Sequence, residues 1–275
     1  MERKSMLIFF DIDGTLLNDK GVLRESAGLA LQRLKEKGHK IFLATGRSKV
    51  ELPEQLLDLE FQGMVLGNGS YVEYAGKEIY RDVMDKEMLY HLSQDLEQWN
   101  AHILYGAKDA CYVWQSSKEY LLNLMQEMYP ETGVSEEMER IMMIIHDSKD
   151  INQIEKINFF NYKGNLDELK EKFSDYFYIL PNSIVDASDK SSGEVTKIGI
   201  NKAVGISHIL NYIDETKESV IALGDGYNDI EMIQFSHIGI AMENSVPILK
   251  QYADMIAPDI DADGVYTVLE QLKLV

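Results

Sequence analysis

Short apolar runs alternate with amphipathic helical periods along the amino-terminal part of this chain, and this alternation limits the possible folds more than any other feature. The run Met6 to Phe10 has the length of a buried strand, and the apolar residues that follow recur at the i, i+3, i+4, i+7 spacing of one helix face (Ala27, Ala30, Leu31, Leu34). A second strand is then predicted over Lys40 to Leu43. Strands that alternate with helices in this way are typical of βαβ units. The pattern predicts an α/β fold built on a doubly wound parallel sheet.

The middle of the chain has a different character. From about Val83 to Leu180, helical periods such as Lys86 to Gln98 are interleaved with strand-like runs such as Ile157 to Phe160. The βαβ rhythm resumes after Ser183, with a helix predicted over Asn201 to Tyr212. We therefore expect one domain formed by residues 1–82 and 183–275, with residues 83–182 inserted as a separate α+β module.

Charge and cysteine content exclude several classes of partner. The chain has 46 acidic residues against 27 Lys and Arg, a net charge of -19, and such a surface repels the phosphate backbone of nucleic acids. Apolar runs such as Met6 to Phe10 are far shorter than the roughly 20 residues that cross a bilayer. The single cysteine, Cys111, cannot form an intramolecular disulfide and excludes a cysteine-based zinc site. The sequence predicts a cytoplasmic protein with neither nucleic acid nor membrane as partner, and it leaves the oligomeric state open.

Polar motifs follow the predicted core strands. In open parallel sheets, ligands collect at the carboxyl ends of the strands, so these positions are the first candidates for a functional site. Four strand ends run into polar or glycine-containing segments: Asp11-Ile12-Asp13-Gly14-Thr15, Thr45-Gly46-Arg47, Gly67-Asn68-Gly69 and Gly224-Asp225-Gly226-Tyr227-Asn228-Asp229. We expect these segments to meet at one edge of the sheet. For Asn68-Gly69 a simple tight turn is the preferred interpretation, and a role in the site is the alternative.

The paired acids after the first strand suggest phosphoryl chemistry. Asp11 and Asp13 are two residues apart, so both carboxylates can reach one space, and Asp225 completes an all-oxygen set that suits Mg²⁺ better than zinc. A carboxylate can attack phosphorus, while a second carboxyl protonates the leaving oxygen and later activates water. This predicts Asp11 as the nucleophile and Asp13 as the acid/base. The alternative is that these acids only form turns or cap helices.

Such a site needs positive charge to offset its carboxylates. Lys202 is the preferred candidate because it begins a predicted helix, whereas Lys197 is expected on a strand and in solvent. Thr45 and Asn228 could add neutral hydrogen bonds to phosphate oxygens.

At this point the sequence resembles the haloacid dehalogenase-like superfamily, and within it the Cof-type hydrolases with a large α/β cap. Asp11 to Thr15 is similar to the family's first motif, Thr45 to Arg47 to the second, Lys202 to the third, and Gly224 to Asp229 to the fourth. The resemblance covers essentially the whole chain. It implies a Rossmann-like catalytic core, a cap that sets substrate specificity, and Mg²⁺-dependent hydrolysis of small phosphate monoesters through an aspartyl phosphate.

The resemblance also implies residue roles. The metal would be held by Asp11, the backbone carbonyl of Asp13, and Asp225, with Asp229 acting through water. The phosphate would be bound by Ile12, Thr45, Gly46, Lys202 and Asn228. Arg47 would either contact the substrate or pair with a surface acid. The expected partner is a small phosphorylated metabolite, namely a sugar phosphate or a cofactor or nucleotide phosphate. Ala203 and Glu243 stand where the family often has glycine.

Two other functions compete with a phosphatase. A phosphomutase or phosphotransferase of the same fold would pass the phosphoryl group to a hydroxyl instead of water. A receiver-type signalling protein also uses an acidic cluster, a Thr and a Lys around Mg²⁺, but such domains are compact and have no large inserted module. A nucleotide-binding module is disfavoured because neither the G-x-G-x-x-G nor the P-loop pattern is present.

Overall fold

The computed structural model describes residues 5–128, 134–147, 151–182 and 190–275. The chain divides into two compact units. The first unit contains Met1–Gly46, Pro53–Tyr80 and Asn201–Val275, and the second contains Arg47–Leu52 and Arg81–Ile200. The expected boundary between residues 182 and 183 touches residues 183–189, which lie outside the described part of the chain.

The amino-terminal part of the first unit alternates strands with helices and ends in a hairpin. In chain order its elements are β1 (Leu7–Phe10), α1 (Glu25–Glu36), β2 (Lys40–Ala44), α2 (Glu54–Leu57), β3 (Gly63–Leu66), β4 (Tyr71–Tyr74) and β5 (Lys77–Arg81). Helix α1 forms where the sequence places apolar residues on one helix face, and its buried side chains are Ala27, Ala30, Leu31 and Leu34.

The second unit is an α+β arrangement. Its elements are α3 (Lys86–Gln98), β6 (His102–Ala107), β7 (Cys111–Trp114), α4 (Gln115–Met128), α5 (Val134–Ile141), β8 (Met142–Ile145), β9 (Ile154–Phe160), α6 (Leu166–Phe173), β10 (Phe177–Leu180) and β11 (Gly193–Lys197). Asp85 caps α3 by accepting from the backbone N–H of Met88, and Asn165 caps α6 in the same way.

The carboxyl-terminal elements return to the first unit and continue the alternation. They are α7 (Lys202–Ile213), β12 (Val220–Gly224), α8 (Ile230–Phe235), β13 (Ile238–Met242), α9 (Pro247–Tyr252), β14 (Met255–Ala257) and α10 (Gly264–Gln271).

The strands of the first unit form a sheet in the order β14-β13-β12-β1-β2-β3-β4-β5. The pairs from β14 to β3 are parallel, and β3 pairs with β4 antiparallel. Because β1 pairs with both β2 and β12, the segments that follow these three strands leave the sheet at the same edge. Phe9, Phe42 and Ala222 are fully buried in its core. The predicted α/β fold with a parallel core sheet is confirmed.

The described strands of the second unit form a separate sheet in the order β10-β11-β9-β6-β7-β8. This sheet is antiparallel except for the parallel pair β7 and β8. One face packs into an apolar core that contains Ile157, Phe159 and Val195. Val195 belongs to β11, so this sheet takes in a strand beyond the expected module of residues 83–182. Strand β11 belongs to this sheet because it pairs with β9 and β10 and buries Val195 in the same apolar core.

None of the described helices is long and apolar enough to cross a lipid bilayer.

Candidate active site

A cluster of three carboxylates lies at the edge of the first unit's sheet. Asp11 follows β1 directly, and its backbone N–H donates to the carbonyl of Leu223 in the neighbouring β12 at 3.0 Å. Asp225 follows β12 in the same way. Oxygen atoms of Asp11, Asp225 and Asp229 all lie within 4.8 Å of one another. The parallel pairing of β1 with β12 therefore brings together acids that are far apart in the sequence.

The turn after Asp11 depends on a glycine. Gly14 has a φ of +76°, and a Cβ at this position would lie 2.1 Å from Oδ2 of Asp225. The hydroxyl of Thr15 donates to Oδ1 of Asp225 at 3.3 Å, and the side-chain amide of Asn244 donates to the carbonyl of Gly14 at 2.8 Å. These contacts hold the segment after β1 against the segments that follow β12 and β13.

Lys202 lies inside the carboxylate cluster. It is the first residue of α7, after Asn201, whose side chain caps that helix by accepting from the N–H of Val204. The Lys202 side chain is fully buried, and its Nζ lies 2.6 Å from Oδ1 of Asp11 and 2.5 Å from Oδ1 of Asp229. Burial alone would lower the pKa of Lys202, but the charges of Asp11 and Asp229 raise it above its usual value.

The other candidate lysine lies elsewhere. Lys197 belongs to β11 in the second unit, is partly exposed, and pairs with Asp82 at 2.7 Å. Of the two lysines, only Lys202 contacts the acids that the strand ends bring together.

Asp229 holds the cluster in place with both of its oxygens. Oδ1 accepts from Lys202, and Oδ2 accepts from the backbone N–H groups of Asp225 and Gly226, each at 2.9 Å. Its carboxylate is fully buried. Asp229 therefore orients the lysine and the turn that carries Asp225.

Negative charge exceeds positive charge in this cluster. Burial and the nearby charges of Asp229 and Asp13 raise the pKa of Asp11 to about 7, although Lys202 acts in the opposite direction. Burial and the charge of Asp11 also raise the pKa of Asp225 well above its usual value. A single ammonium does not satisfy these carboxylates, and a cation beside Asp11 and Asp225 would relieve the repulsion.

The donor set fits a hard divalent cation. The cluster consists of carboxylates alone, and oxygen ligands of this kind are those that Mg²⁺ prefers over softer metals. Asp11 and Asp225 are the two of these acids whose charge the surrounding groups leave least compensated. Asp13 is half-buried in the turn after Asp11. The residues at this edge of the sheet therefore suit the expected magnesium ion.

A second group of polar residues surrounds the ends of β2 and β3. Thr45 is buried, its N–H donates to Val65 at 2.9 Å, and its carbonyl accepts from the N–H of Asn68 at 3.0 Å. The side-chain amide of Asn228 donates to Oδ1 of Asn68 at 3.1 Å, and both residues are buried. Gly46 follows Thr45 as the last residue of this part of the first unit.

Asn68 is the residue that sequence reasoning missed at this site. Its φ of 56° confirms the expected tight turn, but the turn also aims a buried amide at Asn228. Gly69 must remain a glycine here, because a Cβ would lie 2.3 Å from the carbonyl of Asn201, next to Lys202. Gly67-Asn68-Gly69 follows a core strand, and this position could have identified Asn68 as a site residue. Asn-Gly is also a strong turn signal, so the sequence pattern was explained by a turn.

The remaining predicted residues have different surroundings. Ile12 has a buried side chain, and its carbonyl accepts from the N–H groups of Leu16 and Leu17 at 2.9 and 2.8 Å. Arg47 belongs to the second unit, where its guanidinium donates to the carbonyl of Glu51 at 3.0 Å. A contact between Arg47 and substrate stays a prediction.

The chain is similar in sequence to known hydrolases and phosphatases. The sequence model of the haloacid dehalogenase-like hydrolases matches residues 8–269. The 5-amino-6-(5-phospho-D-ribitylamino)uracil phosphatase YitU of Bacillus subtilis (strain 168) is 27% identical over 288 residues, which cover 98% of each chain. The pyridoxal phosphate phosphatase YbhA of Escherichia coli (strain K12) is 24% identical over 267 residues, which cover 94% of this chain and 95% of that protein.

A solved structure extends the likeness to the fold. The subclass IIB sugar phosphatase BT4131 superposes with a TM-score of 0.83 at 22% identity, covering 98% of this chain and 100% of that one. The predicted resemblance to Cof-type members of the family and the prediction of a phosphatase are confirmed at the level of family and enzyme class. Because the sequence model spans nearly the entire length, the chain belongs to the haloacid dehalogenase-like hydrolase family.

Proposed function

We propose that this protein is a Mg²⁺-dependent phosphatase that hydrolyses small phosphate monoesters through an aspartyl phosphate on Asp11. The observation that carries the proposal is the buried contact between Lys202 and Asp11 at 2.6 Å, within a carboxylate cluster that has too little positive charge. Burying several like charges lowers the stability of the folded protein, and a bound cation would offset that loss. Acids with strongly shifted pKa values are also typical of catalytic sites.

The reaction has two displacements. A carboxylate oxygen of Asp11 attacks phosphorus, the bond between phosphorus and the ester oxygen breaks, and Asp13 gives its proton to the leaving alcohol. Asp13 then takes a proton from water, which attacks the aspartyl phosphate and releases inorganic phosphate. In this second step the bond between phosphorus and the Asp11 oxygen breaks, so the two steps together return Asp11 to a free carboxylate and Asp13 to its protonated form.

The other residues bind and orient the phosphoryl group. Lys202 contacts Asp11 and would neutralise charge on the phosphoryl oxygens beside it. Ile12, Thr45, Gly46 and Asn228 would donate hydrogen bonds to these oxygens. Mg²⁺ held by Asp11, the carbonyl of Asp13, and Asp225, with Asp229 acting through water, would supply charge neutralisation at the site.

We also propose that the two units divide the work. Residues 1–82 and 183–275 would contain the catalytic core, and the inserted module of residues 83–182, with Arg47, would select the leaving group. The division into two units supports an extension of the module to Ile200, because β11 pairs within its sheet. Similar proteins act on a ribitylaminouracil phosphate, pyridoxal phosphate or a sugar phosphate, so small phosphorylated metabolites are the substrates to test first. A cytoplasmic location is proposed on the single, buried Cys111.

A phosphate-release screen over these three substrate classes, with Mg²⁺ and with a chelator, tests the proposal. Rapid quenching with labelled substrate should trap an acid-stable, base-labile phosphoprotein in the wild type and none in Asp11→Asn. Release that persists in Asp11→Asn would contradict the aspartyl phosphate. Transfer of the label to an added sugar, without release, would show a mutase instead.

A further inference from the structure

One short segment of the chain leaves the first unit directly after two of the proposed phosphate ligands. Arg47–Leu52, here called the connecting segment, packs with the second unit, although Gly46 before it and Pro53 after it belong to the first. Thr45 and Gly46, the proposed phosphate ligands, therefore continue without a break into a segment that the second unit holds.

Glu51 organises the connecting segment from within. Its Oε2 accepts from both the backbone N–H and the hydroxyl of Ser48, at 2.7 and 2.6 Å. Its carbonyl accepts from the guanidinium of Arg47 at 3.0 Å. A single 3₁₀ turn, Lys49–Glu51, results from these contacts. The carboxylate and the backbone carbonyl of Glu51 thus hold Ser48 and Arg47, the first residues after Gly46.

Glu51 also ties the segment to the sheet of the second unit. The Nζ of Lys156, on β9, lies 3.4 Å from Oε2 of Glu51, and the two side chains are only 4% and 9% exposed. Glu194, on the adjacent strand β11, lies 4.0 Å from the same Nζ. Removing one partner of such a buried pair leaves an uncompensated charge, whereas an apolar pair of similar volume would be no less stable. The main effect of this buried ion pair is therefore to fix where the connecting segment lies on β9, and its contribution to stability is secondary.

The pair is ionised at neutral pH. Burial alone would raise the pKa of Glu51, but the Lys156 ammonium and the Ser48 hydrogen bonds lower it below its usual value. Burial would lower the pKa of Lys156, but the charges of Glu51 and Glu194 raise it. The carboxylate of Glu51 and the ammonium of Lys156 therefore both remain charged around neutral pH.

We propose that Glu51 and Lys156 form a positioning pair, which fixes the connecting segment to β9 and thereby holds Thr45-Gly46 in the conformation that binds the phosphoryl group. This inference rests on the proposed function and gives Glu51 and Lys156 a positioning role rather than a catalytic one. Because every substrate presents the same phosphoryl group, loosening the pair weakens turnover of all esters alike.

The chain offers a matched control on the same strand. Glu155 neighbours Lys156 on β9, is fully buried, and pairs with Arg81 at 2.9 Å. Glu51→Gln and Glu155→Gln make the same chemical change at two buried carboxylates that each pair with a cation, but only Glu51 lies in the connecting segment. Glu155→Gln therefore shows the effect of losing a buried carboxylate on β9 that has no contact with the connecting segment in its ion pair.

The experiment measures hydrogen exchange of a peptide covering residues 45–52, together with kcat/KM for several esters and the inhibition constant of inorganic phosphate. Glu51→Gln should speed exchange in this peptide, weaken phosphate inhibition and lower kcat/KM by about 10- to 100-fold for every ester. Glu155→Gln should leave all three near the wild type. Lys156→Met should behave as Glu51→Gln does, and Lys156→Arg should restore most of the loss.

Two results would overturn the inference: exchange and kinetics of Glu51→Gln that match Glu155→Gln, or a loss confined to some esters, which would place the pair at the leaving group. If Glu51→Gln does not fold, Glu51→Asp keeps the charge but shortens the side chain, and the same outcomes apply. A wild type that releases phosphate from no ester refutes the proposed function separately, since the exchange measurement needs no turnover.

Discussion

Among the residues that the structure describes, each unit buries one lysine between carboxylates, and the two clusters differ in charge balance. In the first unit Lys202 contacts Asp11 and Asp229, and the pKa of Asp11 still rises to about 7. In the second unit Lys156 lies beside Glu51 and Glu194, and the pKa of Glu51 falls below its usual value. Similar residues at similar burial thus reach opposite electrostatic outcomes.

The difference lies in how many donors each carboxylate receives. Glu51 accepts from Ser48 twice in addition to its lysine, so its ionised form is satisfied by the protein itself. Asp11 and Asp225 share their space with further acids and retain uncompensated charge. An unbalanced buried cluster is a candidate for ligand binding, and a balanced one is a candidate for holding structure.

The largest expected effect comes from replacing one carboxylate in each cluster by the corresponding amide. Asp11→Asn should abolish turnover, because an amide cannot act as the nucleophile, and it should raise the stability of the metal-free protein by removing one excess charge. Glu51→Gln should lower that stability instead. Turnover assays and denaturant unfolding in a chelator measure both. An Asp11→Asn variant with wild-type turnover would refute the assigned nucleophile.

Metal removal should act on the first cluster only. We expect chelation to abolish activity and added Mg²⁺, but not Ca²⁺, to restore it, since Ca²⁺ expands the coordination beyond the octahedron that Mg²⁺ keeps. Activity that survives exhaustive chelation, or returns equally with Ca²⁺, would contradict this expectation.

The same cluster should make metal-free stability depend on pH. The pKa of Asp11 is raised on folding, so its contribution is favourable at low pH and is lost as pH rises through about 7. Mg²⁺ should therefore raise Tm more at about pH 8 than at about pH 6. Thermal unfolding with and without Mg²⁺ tests this, and Asp11→Asn, which lacks the titrating group, should show a smaller difference.

Loss of the first unit's lysine should be severe but incomplete. Lys202→Ala should lower kcat by about 10² to 10³, by analogy with loss of a preorganised donor at the transition state. Lys197→Ala removes a partly exposed pair with Asp82 and should be nearly silent. Steady-state kinetics at saturating Mg²⁺ decide between them, and the reverse ranking would show that the wrong lysine had been assigned.

The smallest expected effect concerns the neutral contact beside the first cluster. Asn68→Gly keeps the left-handed turn but removes the acceptor of Asn228, so kcat/KM should fall by about two- to tenfold, the equivalent of one hydrogen bond. Asn68→Ala should cost more, because alanine strains the turn as well. If Asn68→Gly retains wild-type kinetics, the Asn228 amide needs no orientation from Asn68.

The sequence alone determined the class of fold and the positions from which a site could be built. Period-2 and period-3.6 apolar patterns are local, so strands such as β1 and helices such as α1 could be predicted from a few neighbouring residues. The rule that ligands gather at strand ends then selected Asp11, Thr45 and Asp225 without reference to any tertiary contact. These predictions required only the short-range apolar pattern and the parallel sheet that this pattern indicates.

Tertiary structure alone decided which long side chains meet and which charges are compensated. The sequence favoured Lys202 over Lys197 for the site, but nothing local shows that Lys202 lies between Asp11 and Asp229, that Lys197 pairs with Asp82, or that β11 joins the second sheet. The pair of Glu51 and Lys156 is equally invisible, because its partners are distant in sequence and each taken alone is an ordinary charged residue. Burial fixes the cost of a charge, and burial is a property of the folded chain, so the balance that distinguishes the two clusters exists only once the strands have assembled.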